Sequence, residues 1–173
     1  CALPIWSHGK ESLQGVPDAS KGSYYANPQY DRPVDDEALI AQFPAFVSPN
    51  IWPKEELPAL EHAFKEVGQI IVAVGTLVAK QCDKFVHSRC PAYAPDALEK
   101  VIATSLCNKG RLLHYFANAE NLGADGDADF SSWCGWHNDH GSLTGLLPNM
   151  FLSLDGKETK NTDPTCGLYC KTR

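Results

Sequence analysis

The feature that most constrains this chain is a change of apolar rhythm near residue 110. From residue 54 onward, Leu57, Leu60, Phe64, Val67, Ile71, Val74, Val78 and Phe85 recur at helical spacing. That pattern predicts one long helix over residues 54–88, about eight turns of it tightly periodic. Glu55, Glu56 and Glu61 stand near its start and Lys80, Lys84 and Arg89 near its end, as the helix dipole favours. A shorter helix follows, opened by Pro95-Asp96, with Leu98, Val101, Ile102 and Leu106 on one face and an end near Gly110. Beyond Gly110 the period becomes two. Leu112, His114 and Phe116 fall on one face of a strand, and Arg111, Leu113 and Tyr115 on the other.

Further strand-like runs are expected at 133–139, 143–147, 150–154 and 168–171, with Asp155-Gly156 as a turn. Residues 118–129 read as an acidic loop. Residues 1–53 are rich in Pro and Gly with aromatics between them, and read as an extended arm laid over a core. The order gives an α+β fold in one domain, 1–173: an arm at 1–53, a helical part at 54–110 and a β part at 111–173.

Several function classes are disfavoured. The net charge is -6 and no Lys/Arg run is present, so a nucleic-acid partner is not expected. The apolar run at residues 70–79 is too short to span a bilayer, and no transmembrane segment is expected. Seven cysteines without a CxxC pair suggest reduced thiols in an intracellular compartment, cytoplasmic or organellar. The first residue is Cys1, not Met, which leaves a removed leader or transit peptide open.

The chemistry-bearing string is Trp133-Cys-Gly-Trp-His-Asn-Asp-His-Gly-Ser-Leu-Thr-Gly-Leu146. On a strand, His137 and Asp139 project to the same side. They offer an imidazole nitrogen and a carboxylate oxygen, two of the three protein ligands of a 2-His-1-carboxylate facial triad. Other readings of nearby residues are open. Cys134, His137 and His140 could join a zinc site, although Cys134 lacks a closely spaced partner. Asp125, Asp127 and Asp129 suggest a calcium loop, but the twelfth position of an EF-hand falls on Trp136, and a solvated turn fits better. His8, His62 and His87 read as surface or helix residues.

The string WCGWHNDHGSLTG, with the upstream RLLHYF, the early KGSYYANP and the helical LPALEHAFKEVG, resembles the isopenicillin-N-synthase-like branch of the 2-oxoglutarate- and Fe(II)-dependent oxygenases. The resemblance runs in order along nearly the whole chain. It implies a double-stranded β-helix (jelly-roll) core backed by the long helix and the shorter one. It also implies His137 and Asp139 as Fe(II) ligands, 2-oxoglutarate as co-substrate and oxidation of a small organic substrate.

Two departures qualify the implication. Relatives carry a third ligand, a His, on a later strand, followed by an Arg that pairs with the co-substrate carboxylate. After His140 this sequence has no further His, and Arg173 comes too early for that role. The resemblance ends midway through the jelly roll, near residues 167–169. The expected jelly roll is therefore partial, with an open edge near 168–171 that a protein partner would cover. The chain as it stands is then not expected to turn over. Relatives also place Asn and Tyr, the latter touching the co-substrate, where His114 and Phe116 stand here. Phe116 cannot donate that hydrogen bond. His114 could contact iron or co-substrate, or be a core histidine bonded to a backbone carbonyl. The alternative to an enzyme is a non-catalytic, oxygenase-like subunit packed into a larger assembly.

Overall fold

Helix α3 runs over Leu60–Arg89 and α4 over Ala97–Thr104, and the chain turns to strand at β5, Gly110–Tyr115. The switch of rhythm at residue 110 is thus a switch of structure. The computed structural model describes residues 6–9, 12–13, 16–17, 21–116, 137–161, 164 and 166–171. It holds a mixture of helices and small antiparallel sheets. The expected loop at 118–129, and with it Trp133, Cys134 and Trp136, lies outside the described residues.

Both helices are shorter than their periodicity suggests. Proline disfavours helical geometry in the residue before it. Pro58 follows a turn at 54–56, and α3 begins only at Leu60. At the other end, α4 stops at Thr104. The Leu106 carbonyl, just past it, accepts a hydrogen bond from Asn27 Nδ2 at 2.7 Å. The two helices are joined through Asp83, which has no exposed surface. Its carboxylate accepts from the Leu98 and Glu99 backbone N–H groups at 3.0 and 2.8 Å and from the Tyr93 hydroxyl at 2.5 Å. Asp96 stands at the N-cap of α4 but makes no capping bond with its side chain. Asp83 satisfies the first N–H groups from across the helix pair instead.

The largest difference from expectation is in the first 53 residues. Rather than a plain arm, they contain β1 (Trp6–His8), the hairpin pair β2 (Ser12–Leu13) and β3 (Val16–Pro17), and β4 (Lys21–Ala26). Helices α1 (Glu37–Gln42) and α2 (Pro44–Val47) follow. β4 is the centre of a three-stranded sheet ordered β1-β4-β5. Every residue from Gly22 to Pro28 is buried. A strand covered on both faces has no reason to alternate polar with apolar.

Two ties hold this region to α3. Tyr24, Trp52 and Phe64 form a ring cluster with centroids 5.7–5.9 Å apart. Asp31 accepts from Lys65 Nζ at 2.6 Å, Trp52 Nε1 at 2.8 Å and Asn50 Nδ2 at 3.1 Å.

After residue 137 the described chain is sparse in regular structure. Only Phe151–Leu152 (β6) and Glu158–Thr159 (β7) pair, around a turn in which Gly156 takes a φ of +80°. The Asp155-Gly156 turn is where the sequence puts it. Residues 137–139, 143–147 and 168–171, expected as strands, are irregular. Their side chains stand largely in solvent, and among the described residues no neighbouring strand fixes an extended geometry there.

Many apolar side chains are open to solvent. On α3, Ile70 is 60% exposed and Leu77 64%. The run at 70–79 lies within a 30-residue helix, about 45 Å long, that on length and composition alone could cross a bilayer.

Candidate metal centre

His137 and Asp139 come together without a strand to align them. His137 Nε2 lies 3.3 Å from Asp139 Oδ1, and each side chain is about half exposed. Two features of the local chain hold the pair. The Thr144 hydroxyl donates to Asp139 Oδ2 at 2.5 Å, closing residues 139–144 into a bend. Gly145 then passes so close to α3 that a Cβ there would collide with Ile71 Cγ2. Thr144 therefore holds the Asp139 carboxylate, and Gly145 seats the same segment against α3.

The donor set suits a first-row divalent ion. Two ligands at neighbouring positions about 2.1 Å from such an ion stand roughly 3 Å apart. The His137–Asp139 separation matches that bite. The Thr144 bond engages one carboxylate oxygen and leaves Oδ1 toward the imidazole, as expected of an outer-shell group that orients a ligand. Solvent reaches both side chains, so further coordination positions are accessible. Among the described residues, no third His, Cys, Asp or Glu joins them in a group that could hold a metal ion. The structure thus brings His137 and Asp139 side by side.

The other two site residues lie on and beside β5, in a separate cluster. His114 is exposed and Phe116 half-buried, with ring centroids 4.6 Å apart. A ring contact absent from the sequence reading completes the group: His8, in β1, lies 4.7 Å from the other side of this pair, at Phe116. Sheet register explains it. His8 pairs with Gly22, and Gly22 pairs with His114. Nothing in the spacing of His8 could show this, because the contact depends on β4 lying between two strands distant in sequence. Thr144 was nearer to hand, within the motif string itself. The zinc alternative needs Cys134 and the calcium alternative needs residues 125–129, all outside the described residues. The five described cysteines, Cys82, Cys90, Cys107, Cys166 and Cys170, are free thiols.

The chain matches no protein-family model, no curated protein and no solved structure.

Proposed function

We propose that the chain is a non-haem Fe(II) oxygenase of the 2-oxoglutarate type, with His137 and Asp139 as two of its iron ligands. The single observation that carries this reading is the 3.3 Å approach of Nε2 to Oδ1, with the carboxylate oriented by Thr144. In this reading β5 and the segment from residue 137 belong to a partial jelly-roll core, and α3 and α4 back it. Bound Fe(II), with 2-oxoglutarate and O2, would supply the oxidising power for a small organic substrate.

The chain's own residues have simpler tasks. Asp139 offers a carboxylate oxygen and His137 an imidazole nitrogen, both donors suited to Fe(II). Thr144 holds Asp139 in place. Phe116 has no hydroxyl to bind the co-substrate, which leaves His114 as the hydrogen-bonding group on that face of β5.

The test is Fe(II) titration under anaerobic conditions. Asp139→Ala is expected to abolish binding, while Asn138→Ala leaves it unchanged. Equal affinity in all three proteins would remove the metal reading.

A second reading is favoured by the exposed apolar side chains, among them Ile70, Val74 and Leu77 of α3 and Leu146, Leu147 and Met150 beside the metal pair. Patches of that kind mark interaction surfaces. The chain would then be an oxygenase-like packing subunit within a larger assembly. Succinate release from 2-oxoglutarate and O2 above a metal-free control would mean catalysis and remove the packing-subunit reading.

A further inference from the structure

Helix α3 carries its intramolecular contacts on one side. Phe64 packs with Tyr24 and Trp52, and Asp83 holds α4. Gly68 lies so close to Pro28 that a Cβ would collide with its ring, and Ile71 meets Gly145. The opposite side has a coiled-coil rhythm. With Val67 at position a of a heptad, Ile70 falls at d, Val74 at the next a and Leu77 at the next d. Val67 is 40% exposed, Leu77 64%, and the other two lie between. From Ala63 to Lys84 every residue at a, d or g is exposed, and none at b or f is. The strip turned outward is therefore an apolar seam of the kind that packs against a second helix. Opposite charges bound it: Glu66 at the g position before it and Lys80 at the g position after it.

We infer that this seam pairs with the same seam of a second copy, the two helices running antiparallel. Charge selects both the occupant and the direction. In an antiparallel pair, a positions lie opposite d positions, so Val67 meets Leu77 of the second copy and Ile70 meets its Val74. Each contact occurs twice about the two-fold axis. The flanking g residues then meet one another. Glu66 faces Lys80 of the second copy, and Ala73 faces Ala73, where only methyl groups separate the helices. A parallel pair would set Glu66 beside Glu66 and Lys80 beside Lys80 instead. Within one copy Glu66 lies 3.9 Å from His62 and Lys80 lies 3.3 Å from Glu99, yet the two side chains remain 66% and 48% exposed. Both are therefore open to a partner across the seam. A bilayer fits the strip poorly. Its uncharged stretch, residues 67–79, is about 20 Å long, short of the ~30 Å hydrocarbon core.

The inference concerns α3 alone and rests on neither reading of function. The experiment is sedimentation equilibrium of the full chain over a wide concentration range, beside Val74→Glu, Glu66→Lys and the double variant Glu66→Lys/Lys80→Glu. All three positions are exposed, so the fold survives the changes, and circular dichroism verifies this. Four half-exposed side chains per copy make a small interface, and a weak dimer is expected, with a Kd on the order of 10 μM. Val74→Glu puts an unpaired charge into the seam from each copy and should weaken the dimer at least roughly tenfold. Glu66→Lys sets two like-charge contacts against Lys80 and should weaken it roughly three- to tenfold, and the double variant should recover most of that loss. Carbodiimide should join Glu66 to Lys80. They stand about 21 Å apart along one helix, so that bond arises only between copies. A chain that stays monomeric at every concentration, or a dimer that Val74→Glu leaves unchanged, overturns the inference. A dimer with neither the charge effects nor the Glu66–Lys80 cross-link overturns the antiparallel pairing. Co-sedimentation of a monomer with phosphatidylcholine vesicles, abolished by Val74→Glu, would assign the seam to a membrane and overturn it as well.

Discussion

Thr144→Val is the most informative single substitution at the metal pair. Valine keeps the shape of threonine and removes only the hydroxyl that donates to Asp139 Oδ2 at 2.5 Å. A hydrogen bond to a charged group contributes about 1.5–3 kcal/mol. Loss of an outer-shell partner typically costs 10–100-fold in metal affinity. The Asp139 side chain is 51% exposed, so water can replace part of the lost bond. The expected loss is therefore at the lower end, about tenfold in Fe(II) affinity, or ~1.4 kcal/mol. Thr144→Ser, which restores a hydroxyl, should recover most of it. Anaerobic titration against a competing chelator reads both numbers. If Thr144→Val binds Fe(II) within twofold of the unsubstituted chain, the hydroxyl does not orient the ligand, and the argument from its geometry fails.

Two further predictions concern stability. Asn27 is 7% exposed; its side chain donates to the Leu106 carbonyl and accepts from the Gln29 and Tyr30 N–H groups. Asn27→Ala leaves these partners unmatched and should destabilise the chain by about 2–4 kcal/mol in urea unfolding; a change under ~0.5 kcal/mol would mean water fully replaces them. Asp31 should shape the acid limb of stability. Burial alone would raise its pKa, but hydrogen bonds from Lys65, Trp52 and Asn50 outweigh that and lower it from 3.8 to about 2. A lowered folded-state pKa means the stabilisation is complete above the unfolded value and lost as pH falls from near 4 toward 2. Because the side chain is 50% exposed, the expected contribution is under ~1 kcal/mol. Asp31→Asn should flatten that part of the profile, and an unchanged slope would contradict the assignment.

What the sequence disclosed and what it hid follow from the range of the interactions involved. Helix α3 was legible because it exposes one side and partly covers the other, so its period survives in the residue order; β5 was legible from its alternation alone, since every residue from Arg111 to Tyr115 is exposed. β4 was not, since Gly22 to Pro28 is buried throughout and carries no polar face to mark a period. The capping of α4 by Asp83 was equally hidden, because Asp96 occupies the local capping position and only the packing of two helices reveals the substitute. His137 and Asp139 were found through their two-residue spacing. Yet the strand invoked to explain that spacing is absent at 137–139. The bend closed by Thr144 and seated at Gly145 on Ile71 brings the pair together instead. His8 joined Phe116 only through the register of three strands.

The oxygenase reading requires one metal ion to touch both His137 and Asp139. Co(II), a paramagnetic stand-in for Fe(II), added to histidine-labelled protein, addresses this through the ring resonances of the six histidines. If one ion is shared by the pair, substoichiometric Co(II) broadens or shifts the His137 ring signals first, His62 and His87 are unaffected, and Asp139→Ala abolishes the effect. Co(II) that perturbs His62 or His87 before His137, or that still acts on His137 when Asp139 is replaced, would contradict it.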